Sequence, residues 1–321
     1  MTTLAPAPSE FVHPALFYGS DEEYLAATVP FMTEGLALGH PVAAAVPASR
    51  LRLLREALGD TAGDVVLIDM EQAGRNPGRI IPTVLRRFAD AHQDAHVRII
   101  GEPIWAGRSA TEYPACVQHE ALINSAFTGR DVTIVCPYDT SALNPGVLAD
   151  ALTSHPVVWE AGRRYSSDQY APDAVVSRYN QPLEPATDVP ELHVTTLAQL
   201  RGARRFTAEH AHRLGLAVER TADLQLIVTE LVTNSLRHAT GDCRLRIWMA
   251  EDHLVCAVRD HGRLADPLAG RHPAAPGQHG GRGLLMVNEL ADLVRAHTTS
   301  QGTTLYAFLR LDSTDTAHPS T

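Results

Sequence analysis

The first half of the chain alternates short apolar runs with longer amphipathic segments. The short runs have the length of strands, and the segments between them have apolar residues at helical spacing. Strands this apolar, separated by helices, indicate an α/β domain with a parallel sheet covered on both faces. The predicted strands are 15–18, 42–46, 65–68, 97–100 and 132–136, and the predicted helices are 21–38, 49–58, 80–91 and 112–127, with a short helix after Pro145.

The pattern changes after a stretch rich in proline. Residues 171–191 contain four prolines among polar residues, which predicts a semi-extended linker. No pair of amphipathic helices fits there, although a sensor histidine kinase would carry its phospho-acceptor histidine on such a pair. Beyond the linker the pattern predicts a strand at 192–195, helices at 197–214 and 221–239, a hairpin of strands 245–249 and 254–258, a helix that buries positions 284 to 294, and a final strand at 305–311.

Length and composition limit the class of protein. A chain of 321 residues predicts two domains, and we place them at 10–170 and 193–311, with a linker at 171–192 and a flexible tail at 312–321. No apolar run approaches the roughly 20 residues of a membrane span, and the N-terminus has no export signal. Four scattered cysteines fit reduced thiols, so we expect a cytoplasmic protein. The net charge of -10, without a long basic run, argues against direct binding of nucleic acid.

The chain contains no lysine, so all 27 cationic residues are arginine. This excludes Schiff-base chemistry and a Walker A phosphate loop, whose lysine reaches the nucleotide phosphates. Any phosphate must therefore be bound by arginine, by backbone N–H groups, by helix ends or by a metal ion.

One predicted helix has a row of polar side chains on a single face. Glu230, Asn234 and His238 are spaced four residues apart, with Leu231, Val232 and Leu236 between them. A carboxylate, an amide and an imidazole in one row need polar partners, and Mg²⁺ takes oxygen ligands of this kind. On this segment alone, the floor of a Mg²⁺–ATP site and a polar stripe facing water are equally good interpretations.

Three further motifs follow in the predicted second domain. Asp260 ends a strand and precedes Gly262, so the carboxylate can accept a hydrogen bond from an adenine amino group while the glycine allows close approach. A loop at 267–279 has the composition of a mobile lid and leads to Gly280-Gly281-Arg282-Gly283, where a helix begins and offers free N–H groups to phosphate. In Gly302-Thr303-Thr304, a threonine hydroxyl can bridge to adenine through water.

The ordered set of motifs over 193–311 resembles the GHKL (Bergerat) ATPases, specifically the anti-sigma-factor serine kinases. The resemblance implies an α+β sandwich that uses ATP and Mg²⁺. One position departs from the family pattern: Leu264 stands where a second glycine is usual. The residue roles implied by the resemblance are Mg²⁺ ligand for Asn234, general base for Glu230, adenine pocket for Asp260, Gly262 and Thr304, phosphate lid for Gly281 and Gly283, and proximity to the phosphates for His238 and Arg282.

Polar residues also mark the strand ends of the first domain, where ligands gather in parallel sheets. Two interpretations are open: helix caps and ion pairs, or a sensory pocket formed by His13, Asp69, Glu102, Trp105 and Asp139. The pattern of His13, Glu102, His119-Glu120, Cys136-Pro137-Tyr138-Asp139 and His155-Pro156 resembles the MEDS sensory domain. That resemblance implies a RecA/KaiC-like fold without phosphate-loop chemistry, which senses a small molecule.

The sequence thus predicts a cytoplasmic anti-sigma regulator. We expect it to bind a sigma factor and to phosphorylate a serine or threonine of a STAS-type antagonist, under the control of a ligand-sensing domain. One alternative is an ATP-dependent binding switch without phosphoryl transfer, which the Leu264 departure favours; another is an atypical histidine kinase. The sequence names neither the sensed ligand nor the oligomeric state, and leaves a homodimer open.

Overall fold

The computed structural model describes residues 10–183, 185, 188–239, 241–273 and 281–311. Contacts within the chain divide it into two compact units, with the division between Tyr179 and Asn180. The predicted tail at 312–321, residues 274–279 of the predicted lid and Gly280 of the glycine motif lie outside the described residues. Among the described residues, no helix combines the length and the apolar character needed to cross a membrane.

The first unit is built on a seven-stranded sheet with the order β3-β2-β4-β5-β1-β6-β7. Every neighbouring pair is parallel except β6 and β7, which form a hairpin. The predicted α/β class and the five predicted strands are confirmed. The hairpin escaped prediction because β7 is exposed and polar, so it has no apolar pattern. The strands are β1 Pro14–Tyr18, β2 Val42–Val46, β3 Val66–Asp69, β4 Val97–Gly101, β5 Val132–Asp139, β6 Val157–Glu160 and β7 Arg163–Ser166.

The helices of the first unit connect these strands. The single helix predicted at 80–91 is instead a π-helical turn, Ile80–Leu85, between two short α-helices. Pro82 lies in this turn and has no N–H, so an uninterrupted α-helix would lose a hydrogen bond and place the proline ring against the preceding turn. The α-helices are α1 Asp21–Ala37, α2 Ala48–Leu58, α3 Met70–Ala73, α4 Pro77–Arg79, α5 Arg86–Asp90, α6 Tyr113–Ala126, α7 Pro145–Ser154 and α8 Pro172–Arg178, with a 3₁₀ turn at Gly59–Asp64.

The first part of the predicted linker is folded rather than semi-extended. Pro172 begins α8, because its fixed φ suits the first helical position and its missing N–H has no partner there in any helix. Val175 is fully buried, and Arg178 forms an ion pair with Asp150 at 2.5 Å. Pro172 was interpreted as part of a linker, but it is the first residue of a helix.

The second unit has one antiparallel sheet with the order β11-β12-β10-β9-β8, and its helices cover one face. This confirms the predicted α+β class. Alternate residues of β9 and β10, such as Leu245, Ile247 and Cys256, pack against Leu224 and Leu231 of the long helix α10. The elements are β8 Glu191–Val194, a 3₁₀ turn Leu197–Gln199, α9 Leu200–Arg213, α10 Val218–His238, β9 Cys243–Ala250, β10 His253–Asp260, α11 Gly283–Leu290, β11 Leu293–Thr299 and β12 Gly302–Arg310.

The helix predicted to bury positions 284 to 294 ends earlier. It stops at Leu290, and Val294 lies on β11, a strand that the sequence pattern did not reveal. Between them Asp292 is almost fully buried, where its carboxylate accepts hydrogen bonds from the Arg220 side chain at 2.9 Å and from the Arg310 backbone N–H at 2.7 Å. These long-range bonds hold the turn between helix and strand.

Candidate functional site

A cavity of about 430 Å³ opens in the second unit between α10, the end of β10, β12 and the start of α11. A cavity of this volume lies within the size range of pockets that bind small molecules. The cavity brings together side chains that are far apart in sequence. Of the residues predicted for nucleotide binding, those that line it are Asn234, His238, Asp260, Gly262, Gly281, Arg282 and Gly283.

The first residue of α11 packs directly on the polar face of α10. A Cβ atom at Gly283 would lie 2.4 Å from Glu230 Oε2 and 3.1 Å from Asn234 Nδ2, so a larger residue at this position would displace the end of the Glu230 side chain. Asn234 lines the cavity, whereas Glu230 is not part of the lining and lies against Gly283. His238, at the end of the helix, lines the cavity and is exposed. The N–H groups of α11 therefore begin beside the carboxylate and the amide.

Two hydrogen bonds orient the carboxylate of Asp260, which also lines the cavity. Ser235 Oγ donates to Asp260 Oδ2 at 2.6 Å, and the Gly262 N–H donates to Oδ1 at 2.8 Å. Each carboxylate oxygen can accept a second bond, so a ligand N–H can still be bound. Ser235 was not predicted, although a polar residue one turn after Leu231 on the buried face of α10 is a recognisable signal.

The threonine that faces the cavity is Thr303 rather than the predicted Thr304. In the sheet Thr303 is paired with Asp260, and its neighbour Thr304 points to the other face. Thr303 Oγ1 donates to the Gly262 carbonyl at 2.9 Å and accepts from the Leu264 N–H at 3.1 Å. Thr303 therefore fixes both ends of the turn after β10, and the expectation for Thr304 was wrong by one residue.

We expect Thr303→Val to destabilise the second unit by about 1–3 kcal/mol, because the Gly262 carbonyl loses its donor in a half-buried turn. Binding of ATP should weaken in parallel. Thermal unfolding and a nucleotide titration measure the two effects. Thr304→Val is the matched control on the opposite face, and equal behaviour of the two variants would contradict the assignment.

The turn after β10 tolerates Leu264 without backbone strain. Among the described residues, the non-glycine residues with positive φ are Ala161 and Glu251, so Leu264 keeps an ordinary conformation. The glycine requirement falls instead on Gly270, which has φ +73° and whose added Cβ would lie 2.5 Å from Leu284 Cβ. Asn288 Nδ2 donates to the Gly270 carbonyl at 3.0 Å and ties this segment to α11.

Of the five residues predicted for a sensory pocket in the first unit, His13 lies apart from Glu102 and Asp139. It stands at the amino end of β1, whereas they stand at the carboxyl ends of β4 and β5. His13 is fully buried, and its ring nitrogens contact Asn124 Oδ1 at 3.1 Å and Cys136 Sγ at 3.3 Å. Burial lowers the pKa of His13 to about 4, so the imidazole is neutral at pH 7.

Glu102 and Asp139 share one cluster at the carboxyl edge of the sheet. Arg50 donates to Asp139 Oδ2 at 3.3 Å, and its guanidinium lies over the rings of Tyr18 and Tyr24 at 5.0 and 4.9 Å. Tyr18 Oη donates to Glu102 Oε1 at 3.4 Å. Burial raises the pKa of Glu102 to about 8, against the opposing effect of the Arg50 charge.

Asp69 and Trp105 have local partners. Asp69 caps α3, where its carboxylate accepts from the Glu71 N–H at 2.9 Å and from Gln72 Nε2 at 3.1 Å. The guanidinium of Arg108 lies 4.0 Å from the centre of the Trp105 ring. For these two residues the structure fits the interpretation as a cap and a local contact.

The raised pKa of Glu102 predicts a pH dependence of stability. The unfolded carboxyl loses its proton near pH 4.5 and the folded one near pH 8, so the folded state binds an extra proton between these values and loses stability as the pH rises. Each unit of that interval costs about 1.4 kcal/mol. We expect Glu102→Gln to match the parent near about pH 5 and to be more stable near about pH 8. Thermal unfolding of both proteins across this pH range measures the difference in stability. A difference that does not change with pH would contradict the prediction.

Two family models match the chain. One is described as MEDS, the MEthanogen/methylotroph, DcmR Sensory domain, and matches residues 12–156; the other is the Histidine kinase-like ATPase domain, and matches residues 194–308. The serine-protein kinase RsbW of Oceanobacillus iheyensis is 28% identical over 123 residues, which are 34% of this chain and 78% of that protein. RsbW of Halalkalibacterium halodurans is 30% identical over 117 residues, which are 32% of this chain and 72% of that protein.

A crystal structure of RsbU and RsbW domains from Mycobacterium tuberculosis is also similar, with 25% sequence identity and a TM-score of 0.29. The match covers 39% of this chain and 33% of that chain, so the similarity extends over about a third of the solved structure's length.

The cavity, the helix that floors it and the antiparallel sheet behind it define the second unit as a histidine kinase-like ATPase domain of the GHKL type. Through this domain the chain belongs to the family of the RsbW serine-protein kinases, and a MEDS domain precedes it. This confirms both resemblances inferred from the sequence motifs.

Proposed function

We propose that this protein is a cytoplasmic anti-sigma regulator whose second unit binds Mg²⁺–ATP and phosphorylates a serine or threonine of a STAS-type antagonist. The observation that carries the proposal is the convergence of Asn234, Asp260 and the Gly281–Gly283 segment on one cavity. The RsbW relatives are serine-protein kinases, which supports the same class of reaction. We further propose that the first domain extends beyond the predicted limit of 170 to include α8, and that the second begins ahead of β8 rather than at 193.

The cavity residues fit a nucleotide. The oriented carboxylate of Asp260 can accept the adenine amino hydrogen, and Gly262 packs closely against Ala239, where an added Cβ would lie 3.1 Å from Ala239 Cβ. At the other end, the N-terminus of α11 presents backbone N–H groups and its dipole to the phosphates, with Arg282 beside them. His238 also lines the cavity, but it is exposed and its neighbour Ala239 lies against Gly262, so its predicted place beside the phosphates has less support.

Asn234 fits the role of a Mg²⁺ ligand, because its amide lines the cavity and a single side-chain oxygen suffices when phosphate and water complete the shell. Bound Mg²⁺ would offset the negative charge of the phosphates. Glu230 would accept the proton of the substrate hydroxyl, four residues before Asn234 on the same face of α10. Its contact with Gly283 holds the carboxylate beside the predicted phosphate end of the cavity.

A second candidate function is an ATP-dependent binding switch that transfers no phosphate. It is favoured by one observation: Glu230 lies against Gly283 and does not line the cavity. Glu230 could reach a substrate in the cavity as a base only after a movement of α11. The departure at Leu264, which also favours this alternative, strains no backbone in the turn.

An atypical histidine kinase fits less well. His193 lies on the edge strand β8 and forms an ion pair with Asp242, instead of projecting from a helical hairpin. No helix is described between Asn180 and Pro190.

For the first unit we propose ligand sensing at the Glu102 cluster. Glu102 Oε2 and Tyr24 Oη are buried and have no hydrogen-bond partner among the described residues, which is costly unless a ligand or water satisfies them. A small molecule with both a donor and an acceptor would complete this site. Asp139 belongs to the same cluster through Arg50. The other residues of the predicted pocket, His13, Asp69 and Trp105, lie in separate contacts.

Affinity capture with the full chain, with and without Mg²⁺–ATP, tests the partner assignment. We expect a sigma factor and a STAS-domain protein of the same cell to be recovered, with ATP changing the ratio between them. Recovery of neither protein under both conditions would contradict the anti-sigma role. The chain with Asn234→Ala serves as the control for the dependence on nucleotide.

A further inference from the structure

Four side chains with metal-binding atoms converge in the interior of the first unit. They are His13, Glu120, Cys136 and His155, and all four are buried. Their ligand atoms lie within 4.8 Å of one another. Neither the proposed phosphoryl transfer nor the Glu102 cluster uses this set.

The fold brings these residues together from four elements. His13 precedes β1, and Cys136 lies on the neighbouring strand β5, where it is paired with Ala15. Glu120 projects from α6, and His155 follows the last residue of α7. One residue of β5, one of α6 and the residues flanking β1 and α7 therefore bring their ligand atoms close together in the core.

The distances match a four-coordinate metal site. His13 Nε2 lies 3.3 Å from Cys136 Sγ and 3.4 Å from Glu120 Oε2, and His155 Nε2 lies 3.1 Å from the same oxygen. A tetrahedral ion with bonds of about 2.0–2.3 Å separates its ligands by about 3.3–3.6 Å. These three separations lie within a few tenths of an ångström of the tetrahedral range, and the remaining ligand-atom pairs lie within 4.8 Å.

Hydrogen bonds fix the tautomer of His13. Asn124 Nδ2 donates to the Ser154 carbonyl at 2.8 Å and to the Ala121 carbonyl at 3.1 Å, so its Oδ1 faces His13 Nδ1 as an acceptor. The Nδ1 atom must then carry the hydrogen, and the Nε2 lone pair points into the cluster. Outer partners of this kind are typical of metal-binding histidines.

His155 is oriented in the same way. Its Nδ1 atom lies 2.9 Å from the Ala151 carbonyl, which can only accept, and 3.0 Å from Ser154 Oγ, whose hydrogen can go to the Asp150 carbonyl at 2.9 Å. In the neutral imidazole this arrangement puts the hydrogen on Nδ1 and the lone pair on Nε2. That lone pair faces the carboxylate of Glu120. His155 Nε2 and both Glu120 oxygens have no hydrogen-bond partner among the described residues, which leaves acceptor atoms facing each other in a buried space. A cation removes this conflict.

We propose that His13, Glu120, Cys136 and His155 form a tetrahedral site for a divalent transition metal, with Zn²⁺ as the ion. Two imidazoles, a thiolate and a carboxylate suit Zn²⁺ and are poor ligands for Mg²⁺ or Ca²⁺. The carboxylate and the thiolate together neutralise the charge of the ion. Four protein ligands leave no open position, so the site holds the sheet and the two helices together rather than performing chemistry.

The test uses the full chain after chelation, titrated with Zn²⁺ and separately with Co²⁺ as a spectroscopic probe. We expect one ion per chain, a higher Tm with Zn²⁺, and a thiolate-to-cobalt charge-transfer band with the visible spectrum of tetrahedral Co²⁺. Cys136→Ser and His155→Ala should each weaken binding more than about 100-fold, and Asn124→Ala about 10–100-fold. Cys116→Ser, a buried cysteine of α6 outside the cluster, should leave binding unchanged.

Absence of a stoichiometric ion and of the charge-transfer band in the parent chain would overturn the proposal. The buried histidines and Glu120 would then form a proton-shared ion pair. Unchanged metal binding in Cys136→Ser would also overturn it, because the ion would then occupy a surface site. The cobalt spectrum of the parent chain decides the question even where a variant fails to fold, and every readout is independent of phosphoryl transfer.

Discussion

Replacing Asn234 with alanine should remove the Mg²⁺ dependence of ATP binding and weaken that binding by about 10–100-fold, the range for losing a group that tunes a bound metal. Asn234 is the residue of α10 that both lines the cavity and lies next to the start of α11. Without the Asn234 amide, α10 would no longer supply a ligand to the Mg²⁺ ion that binds the phosphates. Titration with ATP in the presence of Mg²⁺ or a chelator measures the effect.

The neighbouring Thr233→Ala is the matched control, since Thr233 does not line the cavity. We expect its ATP affinity and its Mg²⁺ dependence to equal those of the parent. If Asn234→Ala kept a Mg²⁺-dependent affinity within twofold of the parent, Asn234 would not be the metal ligand.

Replacing Glu230 with glutamine should reduce phosphoryl transfer by about 10²–10⁴-fold, which is the usual contribution of a general base. Glutamine keeps the shape of the side chain against Gly283, so ATP binding should stay close to that of the parent. Separate measurements of ATP affinity and of phosphate incorporation distinguish the two effects.

Glu219→Gln controls for the loss of a negative charge on the same helix, because Glu219 is exposed in the first turn of α10. Its rate should be unchanged. A rate for Glu230→Gln equal to that of the parent would remove Glu230 from the mechanism, and a parallel loss of ATP affinity would make it a binding residue.

The sequence predicted the face of α10 well because helical spacing alone sets it. Glu230, Asn234 and His238 recur every four residues, and the structure keeps them in one row. Asp260 and Gly262 were also identifiable, since a strand end followed by a glycine is a local pattern. The pattern of α10 alone did not distinguish an ATP site from a polar stripe facing water. The downstream motifs favoured the ATP site.

Local sequence patterns failed to predict the features that depend on strand register or on long-range contacts. Thr303 and Thr304 are equivalent by sequence, and only the pairing of Thr303 with Asp260 shows which one faces the cavity. Gly270 resembles any loop glycine until its close approach to Leu284 is known. The end of α11 depends on the bonds of Asp292 to residues on other elements.

The proposed metal-binding cluster of His13, Glu120, Cys136 and His155 also could not be predicted from local sequence patterns. Its four residues all occur within the MEDS-like motifs, but only His13 was considered as a candidate site residue, at the strand ends. His13 and His155 are separated by most of the first unit in sequence, and no spacing rule joins them. Their convergence follows from the parallel pairing of β1 and β5 and from the packing of α6 and α7.

The most direct test of the central proposal is transfer of the labelled γ-phosphate of ATP to the STAS-domain proteins of the same cell. We predict Mg²⁺-dependent labelling of one serine or threonine on a STAS protein by the parent chain, and its loss in Glu230→Gln. Tight ATP binding without labelling of any STAS protein would contradict the kinase assignment and select the binding switch.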